Sequence, residues 1–174
     1  MKRLIRIAPV VLALCTIGSA LAAPPSGFKS FASSKNHYQI VYPSSWTTQA
    51  KSNADFFYGS RVHGFATNVN VFSIAGAGTM TAAQLEVQVV QADQKQGAVI
   101  SSRSAVRVAG TSGYLVAGAL SKVISGKSIH EKFAEVVFVG RGKAWEITYS
   151  VYPTAYNQSF GTFKTMYSSF AFTK

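Results

Sequence analysis

This 174-residue chain is short of cysteine and of acid: one Cys, and six Asp+Glu against 17 Lys+Arg. A single cysteine excludes a disulfide scaffold and a Cys-based structural zinc site. Six carboxylates leave few pairs for two-carboxylate hydrolysis. The basic residues never run four or more together, which argues against a polybasic membrane switch. No apolar stretch beyond the N-terminal segment reaches spanning length, so no transmembrane anchor is expected in the remainder. What is present is 48% hydrophobic residues, enough to exclude a disordered chain, in a length suited to one domain.

The N-terminus reads as an address. Lys2, Arg3 and Arg6 precede an apolar run from Ile7 to Leu14, and Ser19-Ala20-Leu21-Ala22-Ala23 supplies small residues for cleavage after Ala22. Cys15 follows Leu14 in mid-hydrophobe, the wrong setting for lipidation. Residues 1–22 are therefore expected to be a signal peptide, 23–27 a short linker, and 28–174 the folded domain. The mature chain would be exported, periplasmic or extracellular, with no cysteine to mispair. It would keep 14 basic residues against six acidic ones. Outside the cytoplasm such a charge steers toward anionic envelope components rather than nucleic acid.

Local patterns give the element order. Phe28–Ala32, Tyr38–Tyr42, Ala54–Tyr58 and Ala66–Ile74 read as strands, with Val69 and Val71 on one face and Asn68 and Asn70 on the other. Thr81-Ala82-Ala83-Gln84 fits a capping box, opening a helix with Ala82, Leu85, Val89 and Ala92 on its buried face and Gly97 as its stop. Strands follow at Val99–Val108, Gly113–Ala119, Ile129–Val139 and Ala144–Tyr152. Gly140-Arg141-Gly142-Lys143 is a hairpin turn with glycines for positive φ. In the last strand Trp145, Ile147, Tyr149 and Val151 point inward, and Glu146, Thr148 and Ser150 outward. Tyr156, Phe160, Phe163, Tyr167 and Phe170 form the aromatic stripe of a closing helix. The expected fold is α+β: one domain, a largely antiparallel sheet of about six to eight strands, and two main helices flanking it.

Tyr38-Gln39-Ile40-Val41-Tyr42-Pro43-Ser44-Ser45-Trp46, Ala54-Asp55-Phe56, Asn68-Val69-Asn70-Val71, Gly110-Thr111-Ser112-Gly113-Tyr114 and Phe163 through Phe170 stand in an order that resembles the PsbP-like family. That fold is shared by the PsbP subunit of photosystem II, the eukaryotic Ran-binding nuclear import factor and DcrB-type exported bacterial proteins. Ser45 departs from the family's usual glycine. The resemblance implies a non-enzymatic assembly or docking module and carries over no catalytic set.

The residues themselves offer little chemistry. Gly110-Thr111-Ser112-Gly113 misses the nucleophile-elbow spacing, and Gly126-Lys127-Ser128 reads as a hairpin turn rather than a phosphate loop. His130-Glu131 lacks the second histidine of a zinc protease, because Ala134 stands there. His37, His63 and His130 would need the fold to gather them. No catalytic residues, cofactor or metal are expected. Asp55 reads as an edge-strand carboxylate paired with Arg61 or a lysine. Trp46 and Trp145 are core anchors or the floor of a ligand pocket. Arg103, Arg107, Lys122 and Lys132 are the candidate patch for an anionic partner. The leading functional reading is an exported interaction module of the envelope that binds a protein or an anionic component. The alternatives are a periplasmic carrier of an apolar ligand or lipid, and a cryptic hydrolase.

Overall fold

The computed structural model describes residues 23–174 apart from positions 52, 78, 125 and 126. Residues 1–22, expected to be a signal peptide, and part of the Gly126-Lys127-Ser128 turn lie outside the described residues. Strands β1 (Phe28–Ser33), β2 (Tyr38–Pro43), β3 (Thr47–Ala50), β4 (Ala54–Val62) and β5 (Phe65–Ala75) come first. Helix α1 (Ala82–Lys95) and strands β6 (Val99–Val108), β7 (Thr111–Ile124), β8 (Lys127–Gly140) and β9 (Lys143–Val151) follow. A 3-10 turn (Pro153–Ala155), helix α2 (Tyr156–Ser168) and the short β10 (Ala171–Phe172) close the chain. The main sheet has seven antiparallel strands in the order β3-β4-β5-β9-β8-β7-β6, and a second sheet runs β1-β2-β10. The α+β expectation holds, with the small sheet as a separate layer.

The two faces of the large sheet are chemically unlike. The inner face presents Val69, Val71, Ala134, Val136, Phe138, Trp145, Ile147, Tyr149 and Val151, all buried. Helix α2, the link after it and the small sheet cover it with Phe163, Met166, Tyr167, Phe170, Tyr38, Ile40 and Tyr42. Ring contacts are close: Tyr38 stacks on Phe170 at 4.9 Å and Tyr149 on Phe163 at 5.1 Å. Rings of this size dominate the burial energy of a small core. Helix α1 lies on the opposite face, where Leu85 meets Val137 and Ala144.

Several local expectations need correction. The capping box at Thr81 is present as read, with Gln84 N to Thr81 Oγ1 at 3.2 Å and Thr81 N to Gln84 Oε1 at 2.8 Å. The buried face of α1, however, includes Leu85, Glu86 and Val90, whereas Ala92 is exposed. Helical spacing allows this because Arg103 on β6 supplies Glu86 with a counter-charge. Glu146, Thr148 and Ser150 are half-buried rather than turned to bulk water. In the β8–β9 turn, Arg141 (φ 50°) and Gly142 (φ 70°) carry the positive φ angles. Gly140 instead makes room for Phe172, whose Cζ would sit 2.6 Å from an added Cβ. Asp55 lies on β4, inside β3, and does not pair with Arg61. Tyr38 Oη donates to it at 2.6 Å and Asn36 Nδ2 at 3.4 Å, while Arg61 donates to Gly64 O. At 3% exposure, neutral donors from the neighbouring layer satisfy the carboxylate where a cation would also need burying.

Candidate acidic site on the outer sheet face

Antiparallel register places one continuous row across the outer face of the sheet: Gln49, Phe56, Asn70, Thr148, Glu135, Val116 and Arg103. Period-two alternation fixes this row once the apolar inner face is buried. Helix α1 packs chiefly on β6, β7 and β8. Where its last turn ends, Asp93 and Gln96 meet Asn70, Glu131, Glu135, Glu146, Thr148 and Ser150 around a cavity of about 360 Å³. Four of the chain's six carboxylates line this one depression. Phe72, Ala98, Leu120 and Phe133 supply apolar wall between them.

The electrostatics follow from burial. Glu135 is 6% exposed. Desolvation pushes its carboxyl up to about 10, and the charges of Glu146, Asp93 and Glu131 reinforce the shift. Burial also raises Glu146, which the Thr148 hydroxyl partly offsets by donating to its Oε1 at 2.8 Å. Asp93 is raised by burial too, and a hydrogen bond with Glu135 acts in the opposite direction. The interaction between Asp93 and Glu135 thus raises Glu135 and lowers Asp93, opposing the effect of burial at Asp93 alone. Among the described residues, Asn70 Oδ1, Asp93 Oδ2 and Glu135 Oε2 are buried without a protein donor. The Asn70 amide is oriented by its own donation to Asn68 Oδ1 at 3.0 Å.

Beyond the cavity, toward the β3 edge, the same face turns aromatic. Phe56 stacks on Tyr58 with centroids 6.1 Å apart and meets Phe72 edge-on at 6.0 Å. These rings are half-buried, and they lie away from β6, β7 and β8, where α1 makes its main contacts.

The residues singled out from sequence do not assemble into one patch. Arg103 lies on the outer face in a two-pronged ion pair with Glu86, 2% exposed, on α1. Arg107 shares that face and donates to Gly110 O at 2.8 Å. Lys132 lies on the inner side beside Val151, its Nζ 5.4 Å from the centroid of the Tyr156 ring. Lys122 pairs with Ile129 in the β7–β8 ladder, and its side chain lies outside the described residues. Trp145 is 1% exposed and donates to Gly140 O at 3.0 Å, a core anchor. Trp46 packs at the core's margin against Gly59, where a Cβ would fall 2.5 Å from its ring. His63 and His130 border one cavity with Tyr152, and His37 borders another.

Sequence reasoning missed Asp93, Glu131 and Glu135 as a set. The available signal was Glu135 in a valine- and phenylalanine-rich strand, with Glu131 four residues earlier on the same face.

The sequence model of the PsbP family matches residues 26–172. No curated protein matches the chain by sequence. Among solved structures, the solution structure of CyanoP, the cyanobacterial PsbP of Synechocystis, superposes with a TM-score of 0.59 at 20% identity, covering 90% of this chain and 98% of that one. LpqN of Mycobacterium tuberculosis, described as involved in cell envelope biogenesis, gives 0.58 at 13% identity over 84% and 91%. A Pseudomonas aeruginosa protein of unknown function, described as a putative regulator, gives 0.53 at 14% over 79% and 91%. At these identities the superpositions establish the fold.

Proposed function

The chain belongs to the PsbP family, and from that premise we propose that it is an exported, non-enzymatic interaction module of the bacterial envelope that docks a protein partner on the uncovered half of its outer sheet face. The observation that carries this reading is the contrast between the two faces. The inner face is closed by α2 and the small sheet through ring contacts near 5 Å. The outer face over β4, β5 and β9 keeps Phe56, Tyr58 and Phe72 half-buried beside a charged depression. Aromatic groups flanking a pocket are the usual makings of an interface hot spot. Export rests on the N-terminal segment, and an envelope setting is supported by the description of LpqN. No helix among the described residues is long and apolar enough to cross a membrane.

A photo-crosslinking residue at Phe56 or Tyr58, compared in intact cells with one at the exposed Lys164 of α2, tests the docking face. A discrete adduct from the sheet positions alone is expected. Identical patterns from both faces would sink it. N-terminal sequencing of the envelope fraction should begin at Ala23.

One observation favours a second reading. Glu135, whose carboxyl burial holds well above the usual range, lines one cavity with Asp93 and Glu146, an arrangement that suits hydrolysis with Glu135 as the proton donor and Asp93 or Glu146 as the base. Turnover of a chromogenic glycoside or ester that disappears in Glu135→Gln would install it. No comparable observation favours an apolar carrier, because packed rings fill the inner layer.

A further inference from the structure

We propose that the acidic cavity is a receptor for a primary ammonium group, the side chain of a lysine presented by the docked partner. This deepens the docking reading and rests on it for the carrier of the amine; the chemistry of the cavity stands on its own observations.

The concentration of charge comes first. A chain with 17 basic residues gathers four of its six acids at one depression. Chance solvation of a surface does not bury them, yet Glu135 is 6% exposed and opens on the cavity with its Oε2 lacking a protein donor. Asp93 Oδ2 on α1 and Asn70 Oδ1 on β5 are likewise buried without one. Leaving such groups unsatisfied is unfavourable, and a donor from outside relieves it. Three acceptors on three elements match in number the three N–H bonds of an ammonium, which offers no acceptor in return. Burial raises the carboxyls of Asp93, Glu135 and Glu146, and a cation in the cavity would act in the opposite direction on all three.

The walls discriminate among cations. Phe72, Ala98, Leu120 and Phe133 line the cavity with apolar surface, which suits the methylene stem of a lysine whose head reaches the acids. A flat guanidinium instead prefers two oxygens presented side by side by one carboxylate, as Glu86 presents them to Arg103. No group of three or more His, Cys, Asp or Glu among the described residues is gathered closely enough to hold a metal ion. The acids are spread around a space of about 360 Å³, a volume fit for an organic cation.

Titration of the purified chain with Nα-acetyl-lysine amide and with its neutral isostere Nα-acetyl-norleucine amide, followed by NMR or calorimetry, is the test. The lysine derivative is expected to bind at least tenfold more tightly. The double variant Asp93→Asn with Glu146→Gln should lose at least tenfold in lysine affinity while keeping the near-UV circular dichroism of the parent. Asn70→Leu, at a half-buried position, is a second variant expected to weaken binding should the double variant fold poorly. Equal affinity for the two derivatives, or affinity unchanged in a folded variant, overturns the proposal. So does lysine binding that disappears on chelating divalent ions. Crosslinking at Phe56 reads the docking face separately: lysine binding without a crosslinked partner removes the docking reading and leaves the ammonium site, and the reverse result removes the site alone.

Discussion

Tyr38 on β2 donates a 2.6 Å hydrogen bond to Asp55 on β4, joining the small sheet to the large one through two side chains that are both almost wholly buried. Burial and the acidic partner push the Tyr38 hydroxyl well above its ordinary pKa, so it remains a donor throughout the accessible pH range. Removing it leaves Asp55 Oδ2, among the described residues, with the longer 3.4 Å contact from Asn36. Tyr38→Phe should therefore cost about 1–3 kcal/mol, roughly 3–10 °C in Tm, with no change in fold. Denaturant melts of the two proteins measure it. A variant as stable as the parent would show that Asp55 is satisfied by other means.

The carboxyl pair predicts how stability depends on pH. Glu135 has its pKa raised from 4.5 to about 10, first by desolvation, and Asp93 and Glu146 are raised as well. Between the unfolded and folded values the native state binds more protons than the unfolded one. The stabilisation is therefore complete below about pH 4.5 and is lost progressively as pH rises toward 10. Tm should be higher at pH 5 than at pH 9. Glu135→Gln, which keeps a donor toward Asp93 and cannot ionise, should flatten that slope and stabilise the protein at pH 8 by on the order of 1–3 kcal/mol. A Tm that rises between pH 5 and pH 9 in the parent would contradict the protonated state of the pair.

How far the sequence could be read depends on whether burial and polarity agree. Where they agree, the pattern was plain: Trp145, Ile147, Tyr149 and Val151 alternate, and all four are buried. The capping box at Thr81 is visible because Thr81 and Gln84 satisfy each other within one helical turn. Reading failed where polar residues are buried. Glu86 and Asp93 sit on the sheet-facing side of α1, but a hydrophobicity pattern assigns such residues to water. Their partners, Arg103 and Glu135, are 17 and 42 positions away along the numbering and meet them only through the fold. The same long-range pairing hid the acidic cavity. Its members come from β5, α1, β7, β8 and β9, so no one segment shows the set, and Glu131 and Glu135 on β8 are the one local hint.

Arg103 and Arg107 look alike in sequence, spaced to share a strand face, but their roles differ. Arg103 neutralises Glu86, whose carboxylate is buried under α1, whereas Arg107 reaches only the carbonyl of Gly110 in an exposed turn. Breaking the former leaves an uncompensated charge beneath the helix. Arg103→Ala should lower Tm clearly and accelerate amide exchange along Ala82–Lys95, while Arg107→Ala should do neither. Hydrogen exchange of the helix, read by mass spectrometry, distinguishes the two. Any test of the basic side chains as contacts for an anionic partner is therefore cleaner at Arg107 or Lys132 than at Arg103.

Two glycines give opposite forecasts for the same substitution. Gly161 lies in α2 at an exposed position, and a Cβ there meets nothing within 4 Å. Its φ is helical and its carbonyl already accepts from Thr165 Oγ1 at 3.1 Å, so alanine changes no contact. Gly161→Ala should gain about 0.5–1 kcal/mol by limiting the unfolded chain and improving helix propensity, roughly 2–3 °C in Tm. Gly113 sits on β7 opposite Phe138, and a Cβ there would fall 2.6 Å from the Val137 carbonyl oxygen. That atom belongs to the backbone of a central strand and cannot swing aside as a side-chain tip would. Gly113→Ala must push β7 and β8 apart locally, beside a row of fully buried residues, and overpacking of this kind costs about 1–3 kcal/mol. Thermal melts of both variants should therefore bracket the parent, Gly161→Ala above it and Gly113→Ala below. Gly113→Ala melting at or above the parent would mean that the two strands are less tightly apposed than the register of β7 on β8 requires.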